Sequence, residues 1–252
     1  MLKTPSEIIK DSWELYAKNW RKFLPFLILL LLPSLILSAL GAISLYLEVY
    51  IPKSSVISNI IILAVFAASM LFAFWTSIAL TRAMANANAG QPFDWKNVFS
   101  TSSSLIWPVL VASLLVGLIV LGGSLLLVIP GIIFAIWYNF TFYTVIFENA
   151  KGLGALRASK ALVSGRWLAI FWRWLAPGII FSALSFVIFY VLSFLIKLIP
   201  LPMFMQSAVV SAASSLVNIA VSPLLAGAAL ILYQSAKQNP VGQPVSTPPT
   251  QL

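Results

Sequence analysis

Histidine and cysteine are both absent from this 252-residue sequence, and acidic side chains number only six. Their absence removes imidazole bases, thiolate nucleophiles, structural disulfides and Cys/His zinc sites. The carboxylates are Glu7, Asp11, Glu14, Glu48, Asp94 and Glu148, and no two of them pair inside an apolar stretch. Serine and threonine are plentiful, but a hydroxyl nucleophile needs a neighbouring base, and only lysines and these few acids remain to supply one. No GxSxG, P-loop or GxGxxG stands in its required context. The sequence thus points away from an enzyme, and it calls for no metal or organic cofactor.

Charge is scarce as well. Only 8% of residues are charged while 61% are hydrophobic, against about a quarter charged in ordinary soluble domains. A water-soluble fold of this length would lack the polar surface to cover itself. The net charge is +9. Its basic residues flank apolar runs, so anionic lipid headgroups are the expected partner and nucleic acid is not.

What is present in abundance is uninterrupted apolar sequence. A membrane-crossing helix needs about 20 such residues. Six runs qualify, giving spans at about 23–47, 59–80, 105–129, 132–147, 168–196 and 205–233. The stretch Leu105–Phe147 holds 43 residues without a charge, about 64 Å if helical throughout, which is twice what one crossing uses. It is expected to fold back at Pro130-Gly131, where proline removes a donor and glycine tolerates positive φ; Gly122-Gly123 is the alternative bend. Phe23–Leu47 exceeds the apolar core of a signal peptide, and three acids precede it, so it reads as a retained span.

With six crossings, both termini share one side. Of the 15 basic residues, all but Lys53 and Lys197 fall on that side, a distribution of 13 to 2, which predicts cytoplasmic termini in a cell (inner) membrane. Trp13, Trp20, Trp95, Trp107, Trp167, Trp172 and Trp174 cluster near the same boundary, where an amphipathic indole is most stable.

Three amphipathic segments are expected to lie along that surface. In TPSEIIKDSWELYAKNW, Thr4 and Glu7 have capping-box spacing and Pro5 occupies the first helical position. This predicts an interfacial helix over 4–22, with Ile9, Trp13, Tyr16, Trp20 and Leu24 on its apolar face. In QPFDWKNVFS, Asp94 caps and Phe93 staples against Val98. In KGLGALRASKALVSGRW, Leu153, Leu156, Val163 and Trp167 form a stripe opposed by Arg157, Lys160 and Ser164. Ser12-x-x-Leu15-x-x-x-x-Trp20 and Ser159-x-x-Leu162-x-x-x-x-Trp167 share one spacing. The predicted fold is thus an all-α polytopic membrane bundle over residues 1–237 with interfacial helices, built on a unit of one surface helix and two spans used three times. Residues 238–252 form a Pro-rich cytoplasmic tail, expected to be disordered.

The order Ile129-Pro130-Gly131, an aromatic run, Glu148, then Ala155, Ser159 and Gly165-Arg166-Trp167 resembles a bacterial and archaeal multi-pass family. That family includes the membrane domain fused to some glycerophosphoryl diester phosphodiesterases and its YciC-like relatives. The resemblance implies a six-helix membrane domain of unassigned activity, and it carries no catalytic residues across.

Candidate functional positions follow. Arg157, Lys160, Arg166 and Arg173 are candidates for binding lipid headgroups; for Arg173, snorkelling to the surface is the competing role. Pro130, Gly131, Glu148, Trp20 and Trp167 read as structural or topological. Asn139, Thr141 and Asn218 either line a polar pathway or make helix–helix hydrogen bonds. Pro33, Pro177 and Pro223 interrupt spans, as in transporters with broken helices, so a small-solute transporter stands as the alternative to a lipid-engaging membrane-organising or accessory protein.

Overall fold

A computed structural model of the chain describes residues 2–50, 55–200 and 202–240. Lys53 and residues 241–252, most of the predicted tail, lie outside the described residues. Among the described residues the regular structure is helical and no strand occurs. The helices are α1 (Pro5–Tyr50), α2 (Ser55–Asn88), α3 (Trp95–Thr101), α4 (Ile106–Leu126), α5 (Val128–Trp137), α6 (Thr141–Glu148), α7 (Gly152–Val163), α8 (Trp167–Lys197) and α9 (Met203–Gln238), with one 3-10 turn at Ser103–Leu105. Six stretches among them are long and apolar enough to cross a membrane: Pro5–Leu37, Asn59–Asn88, Trp95–Leu126, Val128–Glu148, Trp167–Lys197 and Ala208–Gln238. Helices satisfy their backbone groups internally, which is why hydrocarbon accepts them.

The first helix begins as its sequence predicts. The Thr4 amide donates to Glu7 Oε2 at 2.6 Å, and the Glu7 amide donates to Thr4 Oγ1 at 3.3 Å. It does not end where expected. Residues 5–22 run without a break into the first span, because nothing between Lys22 and Phe23 supplies a cap or a left-handed residue. The buried stripe is Ile8, Ser12, Leu15, Asn19, Phe23 and Phe26, whereas Trp13 and Trp20 are 52% and 47% exposed and Leu24 is 42% exposed. The stripe predicted from Ile9, Trp13 and Trp20 is therefore the outward one, displaced by a single residue.

The fold-back in Leu105–Phe147 also differs from expectation. It is centred on Leu127, whose extended backbone separates α4 from α5. Pro130 lies in the first turn of α5, where its missing donor would have had no intrahelical acceptor. Gly131 is not in the left-handed region. Its role is close approach: a Cβ there would come 2.1 Å from Ser124 Oγ and 3.0 Å from Ser124 Cα across the reversal. Gly122-Gly123, the alternative bend, falls inside α4. A β-carbon on Gly123 would strike the Phe134 ring at 2.5 Å.

The predicted fourth span, 132–147, is not one helix. It breaks at Tyr138–Phe140 between α5 and α6. The cause is tertiary and belongs to the site below.

The chain divides into two compact units, one of Met1–Asp11, Trp107–Pro177 and Ala228–Leu252, the other of Ser12–Ile106 and Gly178–Gly227. In the second unit, Asp94 caps α3 by accepting from the Lys96 and Asn97 amides, both at 3.3 Å. Phe99 stacks on Trp75 with ring centroids 4.1 Å apart, and Trp75 Nε1 donates to the Phe99 carbonyl at 2.8 Å. Arg82 reaches Thr101 Oγ1 at 3.0 Å and Ser102 Oγ at 3.1 Å, which fixes the end of α3 against α2.

The three segments predicted as surface helices join their spans differently. The first is continuous with its span, α3 passes through the 3-10 turn, and α7 turns at Gly165, which has φ +82°. Two of the three matched pairs nevertheless share environments, whereas Leu15 is buried and Leu162 is half-buried. Ser12 and Ser159 are both fully buried, and Trp20 and Trp167 are both exposed.

Candidate functional site

The first unit holds a polar network built around α7. That helix follows α6 through a corner made by Asn149 at φ 53° and Gly152 at φ 49°. The Ala150 amide returns to the Thr144 carbonyl at 3.3 Å and closes the end of α6. An α7 folded back this way presents Ala155, Leu156, Ser159 and Val163 inward. Leu153 is 58% exposed and Trp167 is 39% exposed, so two of the four residues in the predicted stripe face outward.

Ser159 explains the broken span. Its hydroxyl donates to the Trp137 carbonyl at 2.8 Å and accepts from the Phe140 amide at 3.1 Å. One side chain thereby serves the last carbonyl of α5 and an amide at the start of α6. Freed backbone groups in a span must be satisfied, and here a helix from the same unit supplies the partner. One helical turn along, Thr144 Oγ1 donates to the Ala155 carbonyl at 3.1 Å. Asn139 lies within the break. Thr141 opens α6, and its hydroxyl is buried with no hydrogen-bond partner among the described residues.

The second half of the network ties this hairpin to the end of α9. Tyr233 donates from its hydroxyl to Glu148 Oε1 at 2.6 Å, and Lys237 pairs with the same oxygen at 3.1 Å. The Tyr233 ring is surrounded by Phe140, Tyr143 and Phe147, with centroids at 5.8, 5.3 and 6.0 Å. Glu148 is the last residue of α6, next to the corner, and its carboxylate anchors α9 through these two contacts.

Arg166 fills the space between two helix ends. Its Nε donates to the Leu162 carbonyl at 2.9 Å, its Nη2 to the Ala236 carbonyl at 2.8 Å, and its Nη1 to the Asn239 carbonyl. These carbonyls belong to the C-terminal ends of α7 and α9, where the helix dipole favours a cation. Burial first, and the neighbouring Arg173 guanidinium second, hold Arg166 below the usual arginine range. Arg173 in turn donates to the Lys3 carbonyl at 2.8 Å and to the Ala169 carbonyl at 3.0 Å. The Lys3 amide donates to Ser235 Oγ at 3.0 Å. The amino-terminal segment, α8 and the end of α9 are thereby tied together by one arginine and one serine.

The four candidate headgroup ligands thus fall into two pairs. Arg166 and Arg173 spend donors on backbone carbonyls inside the protein. Arg157 is exposed with no partner among the described residues. Lys160 is exposed too, with its ammonium 4.2 Å above the Trp137 ring. Asn218 belongs to the other unit, so the three polar-pathway candidates are not collected in one described site. Sequence reading missed Ser159 as a cap and Tyr233 and Ser235 as anchors. A signal for Ser159 existed: it occupies the stripe position between Leu156 and Val163, where a leucine would be expected if packing alone mattered.

A chain of six apolar helices with this break-and-cap corner is a multi-pass helical membrane protein. Comparison with protein-family models, curated proteins and solved structures yields no match, so function is argued from the site itself.

Proposed function

We propose that this protein is a non-catalytic membrane-organising or accessory protein that engages anionic lipid through the outer face of α7. The observation that carries the proposal is that face. Lys151 and Arg157 are exposed without carboxylate partners among the described residues, and Lys160 sits over Trp137. Beside them the apolar Leu153 is turned outward. Cations adjacent to an outward apolar residue suit a lipid interface, where the side chain enters the acyl boundary and the charges meet phosphate. Kinship with the family of phosphodiesterase-associated membrane domains belongs to the same proposal and rests on the motif order over residues 129–167.

Each basic group near an anionic leaflet contributes about 1 kcal/mol. The double variant Arg157→Gln/Lys160→Gln therefore weakens binding of phosphatidylglycerol, titrated into protein purified in mild detergent, by on the order of 30-fold. Binding of phosphatidylcholine stays unchanged, and Lys197→Gln serves as the control. Undiminished phosphatidylglycerol binding by the double variant refutes the proposal.

The orientation follows from charge, with α7 and both termini in the cytoplasm. The sequence has no cysteine, so single cysteines report cleanly. On intact cells an impermeant thiol reagent labels Ile199→Cys and spares Ser6→Cys and Ser104→Cys; the reverse pattern inverts the topology.

A further inference from the structure

We infer that the second unit contains an intramembrane binding site for an uncharged, hydrogen-bonding amphiphile, in the groove between α8 and α9. The groove has a volume of about 310 Å³ and is lined by Ser182, Ser185, Phe186, Ser214, Asn218 and Ser222 among others. That volume lies at the lower end of small-molecule sites, about 300–1,000 Å³. Its depth is unusual for polar groups. Ser182 falls at the midpoint of the 31-residue span Trp167–Lys197, and Ser222 one residue from the midpoint of the 31-residue span Ala208–Gln238.

Three of the lining residues, Ser182, Ser185 and Asn218, differ from span serines whose hydroxyls are bonded within their own helix. Ser193, Ser215 and Ser222 return their hydroxyls to carbonyls of their own helices, at 2.7, 3.2 and 2.9 Å. Ser182 and Ser185 have no hydrogen-bond partner among the described residues. The Asn218 amide nitrogen donates to the Ser214 carbonyl at 2.9 Å and to Ser214 Oγ at 3.4 Å, and its carbonyl oxygen accepts nothing among the described residues. An exposed amide oxygen and two free hydroxyls at mid-span are costly in hydrocarbon. A ligand offering a hydroxyl and an ester or carbonyl group satisfies all three.

The remaining chemistry sets the class of ligand. None of the lining residues is ionisable, so a phosphate or an ammonium at this depth would be left uncompensated. Phe186 is 67% exposed and offers an apolar wall for an acyl or prenyl chain. The occupant is therefore neutral and amphiphilic, and it reaches the groove laterally from the bilayer. It is distinct from the anionic lipid engaged at α7.

The test uses the full-length protein in liposomes with a diazirine-bearing 1,2-diacylglycerol, a lipid with hydroxyl and ester groups and no charge. Photolysis is expected to place adducts within residues 182–189 and 214–225. Unlabelled diacylglycerol should compete them away, and phosphatidylglycerol should not. Asn218→Leu should lower adduct yield by about fivefold, the loss of one hydrogen-bonding partner. Ser182→Ala/Ser185→Ala, which preserves helix packing, should lower it in the same direction. Adducts spread over all six spans, or equal competition by phosphatidylglycerol, would overturn the site. So would spontaneous disulfide dimers of Asn218→Cys at high lipid dilution, because a second copy would then fill the groove.

Discussion

Ser159→Ala is expected to be among the most damaging single-atom changes in the described structure. Removing one oxygen leaves both the Trp137 carbonyl and the Phe140 amide without the partner they have at 2.8 and 3.1 Å. Each unsatisfied buried group costs about 1–3 kcal/mol, so with two such groups the variant loses roughly 2–6 kcal/mol in total. The surroundings amplify the loss, because Phe140 and Ser159 are fully buried and a low local dielectric strengthens what is broken. Ser164→Ala is the matched control. Its hydroxyl is exposed and only returns to Lys160 of its own helix at 2.8 Å, so its removal should change stability by under about 0.5 kcal/mol. Thermal unfolding in detergent gives the magnitude, and hydrogen exchange over residues 138–144 gives the place. If the two variants unfold alike, Ser159 is not the cap of the broken span.

Arg166→Gln is expected to loosen the end of α9. Three guanidinium hydrogen bonds disappear, and the carbonyls they served at Leu162, Ala236 and Asn239 include the ends of two helices. Hydrogen bonds to a charged group contribute about 1.5–3 kcal/mol each, and water at this half-buried position recovers part of that, leaving a net loss of about 2–4 kcal/mol. Arg166→Lys restores only a fraction, because a single ammonium cannot span donors aimed at two helix ends. Faster exchange of amides in residues 230–238 should accompany the lower unfolding midpoint. Arg157→Gln, on the same short segment, should leave stability unchanged while weakening anionic lipid binding. An Arg166→Gln protein as stable as the Arg157→Gln one would place Arg166 among the surface cations instead.

From letters alone, Arg157, Lys160, Arg166 and Arg173 are equivalent: basic residues in an amphipathic segment beside tryptophans. Their separation into outward and inward pairs depends on where α9 ends, and α9 ends about 70 residues away in sequence. No local pattern encodes it. The same holds for the fourth span. Its composition reads as one helix because Tyr138, Asn139 and Phe140 contain neither proline nor glycine. The break became affordable only because Ser159 arrives from α7 to serve both backbone ends. Pro130-Gly131 is the converse case, strong local punctuation that does not form the turn. The turn falls three residues earlier at Leu127, and the glycine serves the close passage of Ser124.

Composition by itself determined the solvent. With 61% hydrophobic and 8% charged residues, burial in water was excluded before any element was placed. Run length then set the number of crossings, because helix rise and bilayer thickness are fixed quantities. Local capping chemistry was legible too, at Thr4–Glu7 and at Asp94, since those bonds span three residues or fewer. Only the tertiary structure decided which face of each helix is covered, where a span is interrupted, and which arginines remain free. In hydrocarbon nearly every side chain is apolar, so hydrophobic periodicity carries little information about facing. Contact between distant segments has to supply it.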